Sequence, residues 1–203
     1  MASSDVKPVE ITEMLKIEPF SYISLIETGN RAVFNDSISR STKTVLDESL
    51  ETFREKLRLT SEEAVITDSL ERKKLEKELN FLILSAGLNR NISKLPITPL
   101  IDSLLTANDK RFGLIIVQSG FTRAKGNYGG QIAKGIGMGI LTMGMYYPPI
   151  KSNSTLYAMI VDNQNKNAVF YNKSVLQDKE PTEKENIIKQ LEKIFEKYFW
   201  EKK

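Results

Sequence analysis

The sequence contains no cysteine and no histidine. These absences exclude thiol nucleophiles, imidazole general bases, Ser-His-Asp triads and zinc sites built from cysteine and histidine. Only Ser4 is followed three residues later by a lysine, the spacing of a Ser-x-x-Lys nucleophile, and Ser4 lies near the N-terminus. The sequence therefore predicts a non-enzymatic protein that has no catalytic residues, no cofactor and no metal.

Long apolar runs are also absent. The longest stretch of low charge, residues 136–150, has about 15 residues, fewer than the roughly 20 that a membrane-spanning helix needs. The first eight residues, MASSDVKP, lack the charged start and the apolar run of a secretion signal. We therefore expect either a cytoplasmic protein or a protein whose leader has been removed.

A third absence is local, because residues 110–161 contain no Asp or Glu. This acid-free span carries six basic residues, while the rest of the chain has 23 basic and 26 acidic residues. The net charge of +3 hides this separation. Part of the absence follows from buried strands, which exclude carboxylates. The remainder favours an anionic partner, which is a phospholipid membrane surface, a cell-wall or lipopolysaccharide phosphate, or an acidic protein. The nearly balanced total charge argues against nucleic acid.

Nine of the eleven glycines lie in the same part of the chain, between Gly113 and Gly144. A phosphate-binding P-loop needs the order Gly-Lys-Ser/Thr, but the order here is Lys134-Gly135-Ile136. A dinucleotide-binding loop needs a third glycine three residues after a Gly-x-Gly pair, and neither pair at 135–139 has one. The glycines therefore do not form a known nucleotide-binding motif.

The glycine-rich insertion, residues 123–150, combines positive charge with an aromatic tip at Tyr146-Tyr147-Pro148-Pro149. An apolar segment that lies outside the core meets a partner chain, another protein or a membrane. We predict that this insertion is a contact surface, formed by Arg123, Lys125, Tyr128, Lys134, Tyr146 and Tyr147. The alternative is that the insertion folds back as a covered loop or hairpin.

Apolar patterns predict the secondary structure. Strands are expected at residues 20–26, 114–117, 154–161 and 168–171. Helices are expected from Asp36 to residue 57, from Thr67 or Asp68 to Ala86, over residues 100–105, and from about Thr182 to Tyr198. The fold class predicted is α/β (α+β), with a small mixed sheet of about four to five strands packed by three to four helices. Residues 1–18 are predicted to form a polar lead-in, and residues 19–203 a single α/β domain.

From Arg111 onward the chain combines FGLIIVQSGFTRA, the glycine-rich insertion, STLYAMIVDNQNKNAVFYN and an amphipathic C-terminal helix. This order resembles bacterial envelope lipoproteins with a TolB N-terminal-like fold, a group that includes relatives of the curli secretion channel protein and the penicillin-binding-protein activators. The resemblance covers about half of the chain. It implies a non-enzymatic, lipid-anchored protein that faces the periplasm or cell surface and acts in envelope assembly.

Such lipoproteins carry a leader that ends in a lipid-bearing cysteine, and this sequence has no cysteine. We therefore expect a periplasmic or surface lipoprotein whose leader has been removed, with a cytoplasmic protein as the alternative. The leading hypothesis is an envelope interaction scaffold that uses the insertion as its contact surface. Two alternatives stay open. One is an enzyme that binds a nucleotide or small molecule through the same loop, and the other is a self-associating structural protein that uses the insertion or the C-terminal apolar stripe.

Overall fold

A mixed β-sheet lies between two pairs of α-helices. The computed structural model describes residues 2–3, 6–89, 91–127 and 150–201. The strands are β1 Ala2–Ser3, β2 Met14–Ile17, β3 Phe20–Ile26, β4 Ala32–Phe34, β5 Leu59–Ala64, β6 Phe112–Arg123, β7 Asn153–Asp162 and β8 Asn167–Gln177. The α-helices in the described ranges are α1 Asp36–Glu51, α2 Ser69–Leu88, α3 Pro99–Ala107 and α4 Lys184–Phe195.

The sheet is organised around β6. Its strand order is β1-β8-β7-β6-β2-β5, and β3 continues along β6 beyond β2 with β4 on its outer side. The strands β6, β7 and β8 pair antiparallel, whereas β2 and β3 run parallel to β6. The uninterrupted apolar run Leu114–Val117 explains the central position, since helices cover both faces of the strand there.

Two apolar cores lie on opposite faces of the sheet. On one face α1 and α4 pack against β6, β7 and β8, and their contacts include Leu50, Ile187 and Phe195. On the other face α2 and α3 pack through residues such as Leu79 and Leu105. The apolar stripe predicted for the C-terminal helix therefore belongs to the core.

The predicted fold class is confirmed, although the sheet has eight strands among the described residues instead of about four to five. Three of the four additional strands, β1, β4 and β5, lie at edges of the sheet and carry little apolar pattern. β1 has two residues and β4 has three, and β5 has the polar sequence LTSEEA. Short or polar edge strands of this kind lack the period-2 alternation by which a strand is recognised in a sequence.

The predicted polar lead-in is wrong for residues 14–17, which form the buried strand β2. Met14, Leu15 and Ile17 are almost fully buried and belong to the two cores. Lys16 lies among them, and its ammonium group is paired with three carboxylates. The apolar pattern does not predict this strand, because the charged Lys16 interrupts the run.

The helix boundaries depend on local capping groups. Asn35, one residue before the predicted start, caps α1 by accepting a hydrogen bond from the Ile38 N–H, and the helix ends at Glu51. Phe53 and Leu57 are buried as predicted, but they lie in turns beyond that helix. In α2 the prediction is confirmed: Asp68 is the N-cap, and the buried residues are Leu75, Leu79, Leu82, Ile83 and Ala86.

Candidate functional site

Arg123, at the last position of β6, joins the two boundaries of the glycine-rich insertion. Its Nε donates a hydrogen bond to the Ile150 carbonyl oxygen at 2.9 Å, and Nη1 donates to Asn30 Oδ1 at 2.8 Å. The guanidinium also lies 5.9 Å from the ring centre of Phe121. One side chain therefore connects the end of β6, the chain before β7 and the turn after β3.

The residues after Arg123 are held on the end of β3. The Ala124 N–H donates to the Ile26 carbonyl at 3.1 Å. The Asn127 Nδ2 donates to the carbonyl oxygens of Ile26 and Glu27 at 3.0 and 2.7 Å. These bonds are made to the backbone at the end of β3, and β3 pairs with β6 along the whole length of β3. The bonds therefore fix the direction in which residues 124–127 continue from β6.

We call Arg123, Lys125 and Lys151 the basic end of the sheet. The side chains of Lys125 and Lys151 are exposed, and neither forms an ion pair with any residue that the structure describes. Two acids lie nearby. Asp178 accepts a hydrogen bond from the Lys151 backbone N–H at 2.8 Å, and Glu180 accepts one from the Thr122 hydroxyl at 2.7 Å. The carboxylates of Asp178 and Glu180 thus connect the chain that follows β8 to the residues at this end of the sheet.

The other four residues predicted for the contact surface are Tyr128, Lys134, Tyr146 and Tyr147, and they lie outside the described residues. Their role in a contact surface therefore stays a prediction. The structure brings Arg123 together with Ile150 and places the exposed Lys125 two residues further along the chain. Lys151 was not among the six predicted residues, although its position in the acid-free span identifies it.

A neutral polar cluster under the basic end joins the sheet to α4. Gln190 donates hydrogen bonds to the carbonyl oxygens of Ser154 and Ser174 at 3.0 and 2.9 Å and accepts one from the Ser154 hydroxyl at 2.8 Å. Gln118 donates to the Ser154 hydroxyl and to the Pro181 carbonyl. Gln118, Ser154, Ser174 and Pro181 lie on β6, β7, β8 and the loop before α4, so a platform of hydrogen bonds joins this end of the sheet to α4.

A second group of polar residues lies along the outer edge of β2 and β3, where α1 and α2 flank these strands. We call it the edge network, and it comprises Lys16, Glu18, Lys43, Asp47, Glu51, Glu63 and Arg72. Lys16, whose side chain is 9% exposed, lies 3.3 to 3.5 Å from carboxylate oxygens of Asp47, Glu51 and Glu63. Burial raises the pKa of Glu63, against the opposing effect of the Lys16 charge.

Glu18 is the centre of this network. Its carboxylate is 7% exposed and lies 2.8 Å from Arg72 on α2 and 3.2 Å from Lys43 on α1. Burial lowers the pKa of Lys43, but hydrogen bonds and charge interactions with Asp47 and Glu18 outweigh that effect, and the net pKa is raised. The cations of this edge are therefore neutralised within the fold.

A cavity of about 650 Å³ opens beside the edge network. Its walls include Lys43 of α1, Arg72 and Glu76 of α2, and the ring of Tyr22. Burial, assisted by the charge of Glu76, raises the pKa of Tyr22 to about 12, so this phenol stays protonated at neutral pH. We call this space the edge cavity. No local sequence pattern indicates this cavity, because its walls come from residues far apart in the chain.

Further features of the described residues bear on the predicted alternatives. No helix within the described ranges is both long and apolar enough to cross a bilayer. Across the same residues, no group of three or more carboxylates is placed to hold a metal ion. The C-terminal stripe, including Ile187 and Leu191, is buried and does not offer an interface. On α2, by contrast, Phe81, Leu84 and Leu88 are 61, 68 and 86% exposed.

Comparison with known proteins gives few relatives. No protein-family model matches the chain. No curated protein matches it either. Among solved structures, the chain is similar to the LpoB C-terminal domain from Salmonella enterica, with 10% sequence identity, 86% of this chain and 87% of that chain covered, and a TM-score of 0.33. At this TM-score the similarity supports no argument about fold or function.

Proposed function

We propose that the protein is a non-enzymatic cell-envelope scaffold, and that the basic end of its sheet directs the glycine-rich insertion toward an anionic membrane surface. The observation that carries the proposal is the hydrogen bond from Arg123 to the Ile150 carbonyl. It joins the two boundaries of the insertion, residues 123 and 150, at one end of the sheet.

The electrostatics of this end support an anionic partner. Lys125 and Lys151 are exposed and make no ion pair with a described residue, whereas Lys16 and Lys43 in the edge network are paired. An exposed lysine without a partner keeps its charge available to a membrane, where each basic residue contributes about 1 kcal/mol near an anionic surface. The aromatic residues Tyr146 and Tyr147 are of the type that is enriched at membrane interfaces.

Co-sedimentation with vesicles tests the proposal. At low ionic strength we expect the full chain to bind vesicles that contain phosphatidylglycerol, and to bind neutral phosphatidylcholine vesicles much less. Binding should weaken as salt is added, because exposed charges are screened beyond about 10 Å at 0.1 M ionic strength. The double variant K125E/K151E should bind at least about thirtyfold more weakly, which corresponds to the loss of about 2 kcal/mol from two cations.

The matched control is K73E/K74E, which makes the same change in net charge on the exposed face of α2. This control should retain most of the binding. Equal losses in the two variants would mean that only the net charge matters and would contradict the proposal. Absence of binding by the full chain, or unchanged binding after deletion of residues 126–147, would also contradict it and would point to a protein partner.

The compartment is the second part of this proposal, and it is supported by the sequence resemblance to envelope lipoproteins from Arg111 onward. Fractionation of cells that express the complete native gene tests it. We expect the protein in the membrane or periplasmic fraction. Recovery in the cytoplasmic fraction alone would contradict the envelope assignment. It would not affect the test of membrane binding, which depends on the vesicle experiment.

Self-association is a second candidate function, and the exposed α2 residues Phe81, Leu84 and Leu88 favour it. They lie on one side of the helix at spacings of three and four residues. If two copies pair through this face, light scattering at high concentration should show a dimer, and Leu84→Asp should be monomeric. A monomer at every concentration would exclude this function.

A further inference from the structure

The floor of the edge cavity is an interruption in the sheet. Three residues lie between Lys16 and Phe20, whereas two lie between their partners on β6, Leu114 and Val117. The chain therefore has one extra residue at Glu18-Pro19, which is a β-bulge. Pro19 has no N–H group, so it cannot donate a sheet hydrogen bond. Bulges of this kind redirect side chains, and here the bulge places the Glu18 carboxylate between α1 and α2.

The outer edge of β2 and β3 is covered on both sides of the bulge but not at the cavity. On one side β5 pairs with β2 as far as Ile17, and on the other side β4 begins to pair with β3 at Ser24. The start of α1 covers Ile23, whose N–H donates to Ser39 Oγ at 2.9 Å and whose carbonyl accepts from Asn35 N–H at 3.0 Å. A gap of one rung remains between these covers.

Ser21 lies in that gap. Backbone groups along a strand point to alternate edges, so the N–H and carbonyl of Ser21 face the same outer edge as those of Ile23. Among the described residues, no strand pairs with Ser21 on this edge, and no other group bonds to its N–H or carbonyl. The Ser21 Oγ is also buried without a hydrogen-bond partner in the described part of the chain. An unpaired strand edge of this kind is a site for strand pairing.

The size and lining of the cavity fit a peptide backbone. Its volume of about 650 Å³ is within the usual range for ligand sites, which is roughly 300 to 1,000 Å³. The lining contains three acids and three bases, so it carries no net charge. Lys43 and Arg72 are already paired with Glu18, which disfavours a strongly anionic ligand. Tyr22 and the exposed ring of Phe34 supply an apolar wall for a side chain.

We infer that the edge cavity binds a short, extended, uncharged peptide segment of a partner protein, which forms one β-bridge with the N–H and carbonyl of Ser21. The main-chain hydrogen bonds provide the recognition of the backbone, and the aromatic wall selects an apolar or aromatic side chain. This inference concerns the outer edge of β3 at Ser21 and not the basic end. It is independent of vesicle binding.

The test uses the full chain labelled with ¹⁵N and a pooled library of acetylated, amidated pentapeptides whose three central positions carry all uncharged residues. Peptides that bind should shift the amide resonances of Ser21, Tyr22 and Ile23 more than those of the basic end. Ser21→Ala keeps the N–H group and should retain the binding. Ser21→Pro removes only the outward N–H, since proline is tolerated on strand edges, and should weaken binding at least tenfold.

Two results would overturn the inference. One is the absence of shifts in the unmodified chain with every peptide of the library, and the other is equal binding by Ser21→Pro and Ser21→Ala. If Ser21→Pro does not fold, N-methylation of the central residue of a bound peptide replaces it. This change should weaken binding to the unmodified chain at least tenfold, and an unchanged affinity would overturn the inference.

Discussion

The edge network and the basic end contain the same kinds of residue in opposite situations. In the edge network the cations are enclosed, and Lys16 alone lies within 3.5 Å of three carboxylates. At the basic end Lys125 and Lys151 are exposed, and the nearby Asp178 bonds to a backbone N–H. The paired charges of the edge network therefore maintain the fold, whereas the exposed lysines of the basic end keep their charges available to a partner. The two groups should therefore respond differently to substitution.

The largest effect is expected for Glu18→Ala. This substitution leaves Arg72 and Lys43 without their shared buried carboxylate. Removal of one partner of a buried ion pair typically lowers the free energy of unfolding by about 3 to 5 kcal/mol. We expect a loss at the lower end of this range, because Lys43 keeps Asp47 and Arg72 keeps Glu76. Urea denaturation followed by circular dichroism measures it.

The exposed Glu55 provides the control, since Glu55→Ala should change the free energy of unfolding by less than about 0.5 kcal/mol. If Glu18→Ala is no more damaging than this control, the edge network does not maintain the fold. The comparison between the two regions would then fail.

A somewhat smaller effect is expected for Gln190→Leu, which tests the neutral platform under the basic end. The change removes the three hydrogen bonds that Gln190 forms with Ser154 and Ser174 in the buried interior. We expect a loss of about 2 to 3 kcal/mol in the free energy of unfolding. The exposed Gln177→Leu serves as the control in the same thermal and urea experiments, and equal stabilities of the two variants would show that the platform does not stabilise the fold.

The sequence predicted the parts of the molecule that depend on local pattern. The buried positions of α2, such as Leu75 and Leu79, follow from helical spacing, and the central place of β6 follows from its continuous apolar run. β2 was missed because Lys16 interrupts its pattern, and the acids that neutralise Lys16 are distant in sequence. Glu18 and Arg72 are 54 residues apart, so no local signal could indicate their contact or the cavity beside it.

The site was predicted from composition alone. The absence of acids and the abundance of glycine selected Arg123 and Lys125, and the structure places them at the end of β6. Composition did not show that Arg123 bonds to Asn30, which is 93 residues away. It also could not show which basic side chains are exposed, because exposure depends on how the sheet ends. Tyr146 and Tyr147 stay predictions.

Arg111 and Asp162 form an ion pair that belongs to neither of the two regions, so it provides a reference for the contribution of a single buried carboxylate to stability. Asp162 is fully buried, and its oxygens accept hydrogen bonds from Arg111 at 3.1 and 2.8 Å and from the Gln164 N–H at 2.8 Å. Burial alone would raise the pKa of Asp162, but these hydrogen bonds outweigh it and hold the pKa below its ordinary value. We expect Asp162→Asn to lower the free energy of unfolding by about 2 kcal/mol at pH 7.

The sign of the pH dependence follows from this shift. A carboxylate whose pKa is lower in the folded protein stabilises it above the ordinary pKa, near 3.8, and this stabilisation is lost as the pH falls through and below that value. Asp162→Asn should therefore flatten the acid limb of the stability profile. An equally steep limb in the variant would show that other groups cause the loss of stability in acid.

The smallest effect on stability is expected at the basic end. Lys125→Ala and Lys151→Ala remove exposed side chains that form no ion pair with the described residues, so each should change the free energy of unfolding by less than about 0.5 kcal/mol. Thermal unfolding measures this directly. A loss of several kcal/mol would mean that these lysines maintain the fold, and the distinction between the two regions would disappear.

Contact between the basic end and an anionic membrane is tested directly by fluorescence from dyes at two single positions. Because the sequence has no cysteine, Ile150→Cys at the basic end and Thr44→Cys at the edge cavity can each carry one environment-sensitive dye without other changes. With vesicles that contain phosphatidylglycerol, we predict a blue shift and a rise in intensity at position 150 and no change at position 44. An equal response at both positions, or a response at position 44 alone, would contradict membrane contact through the basic end.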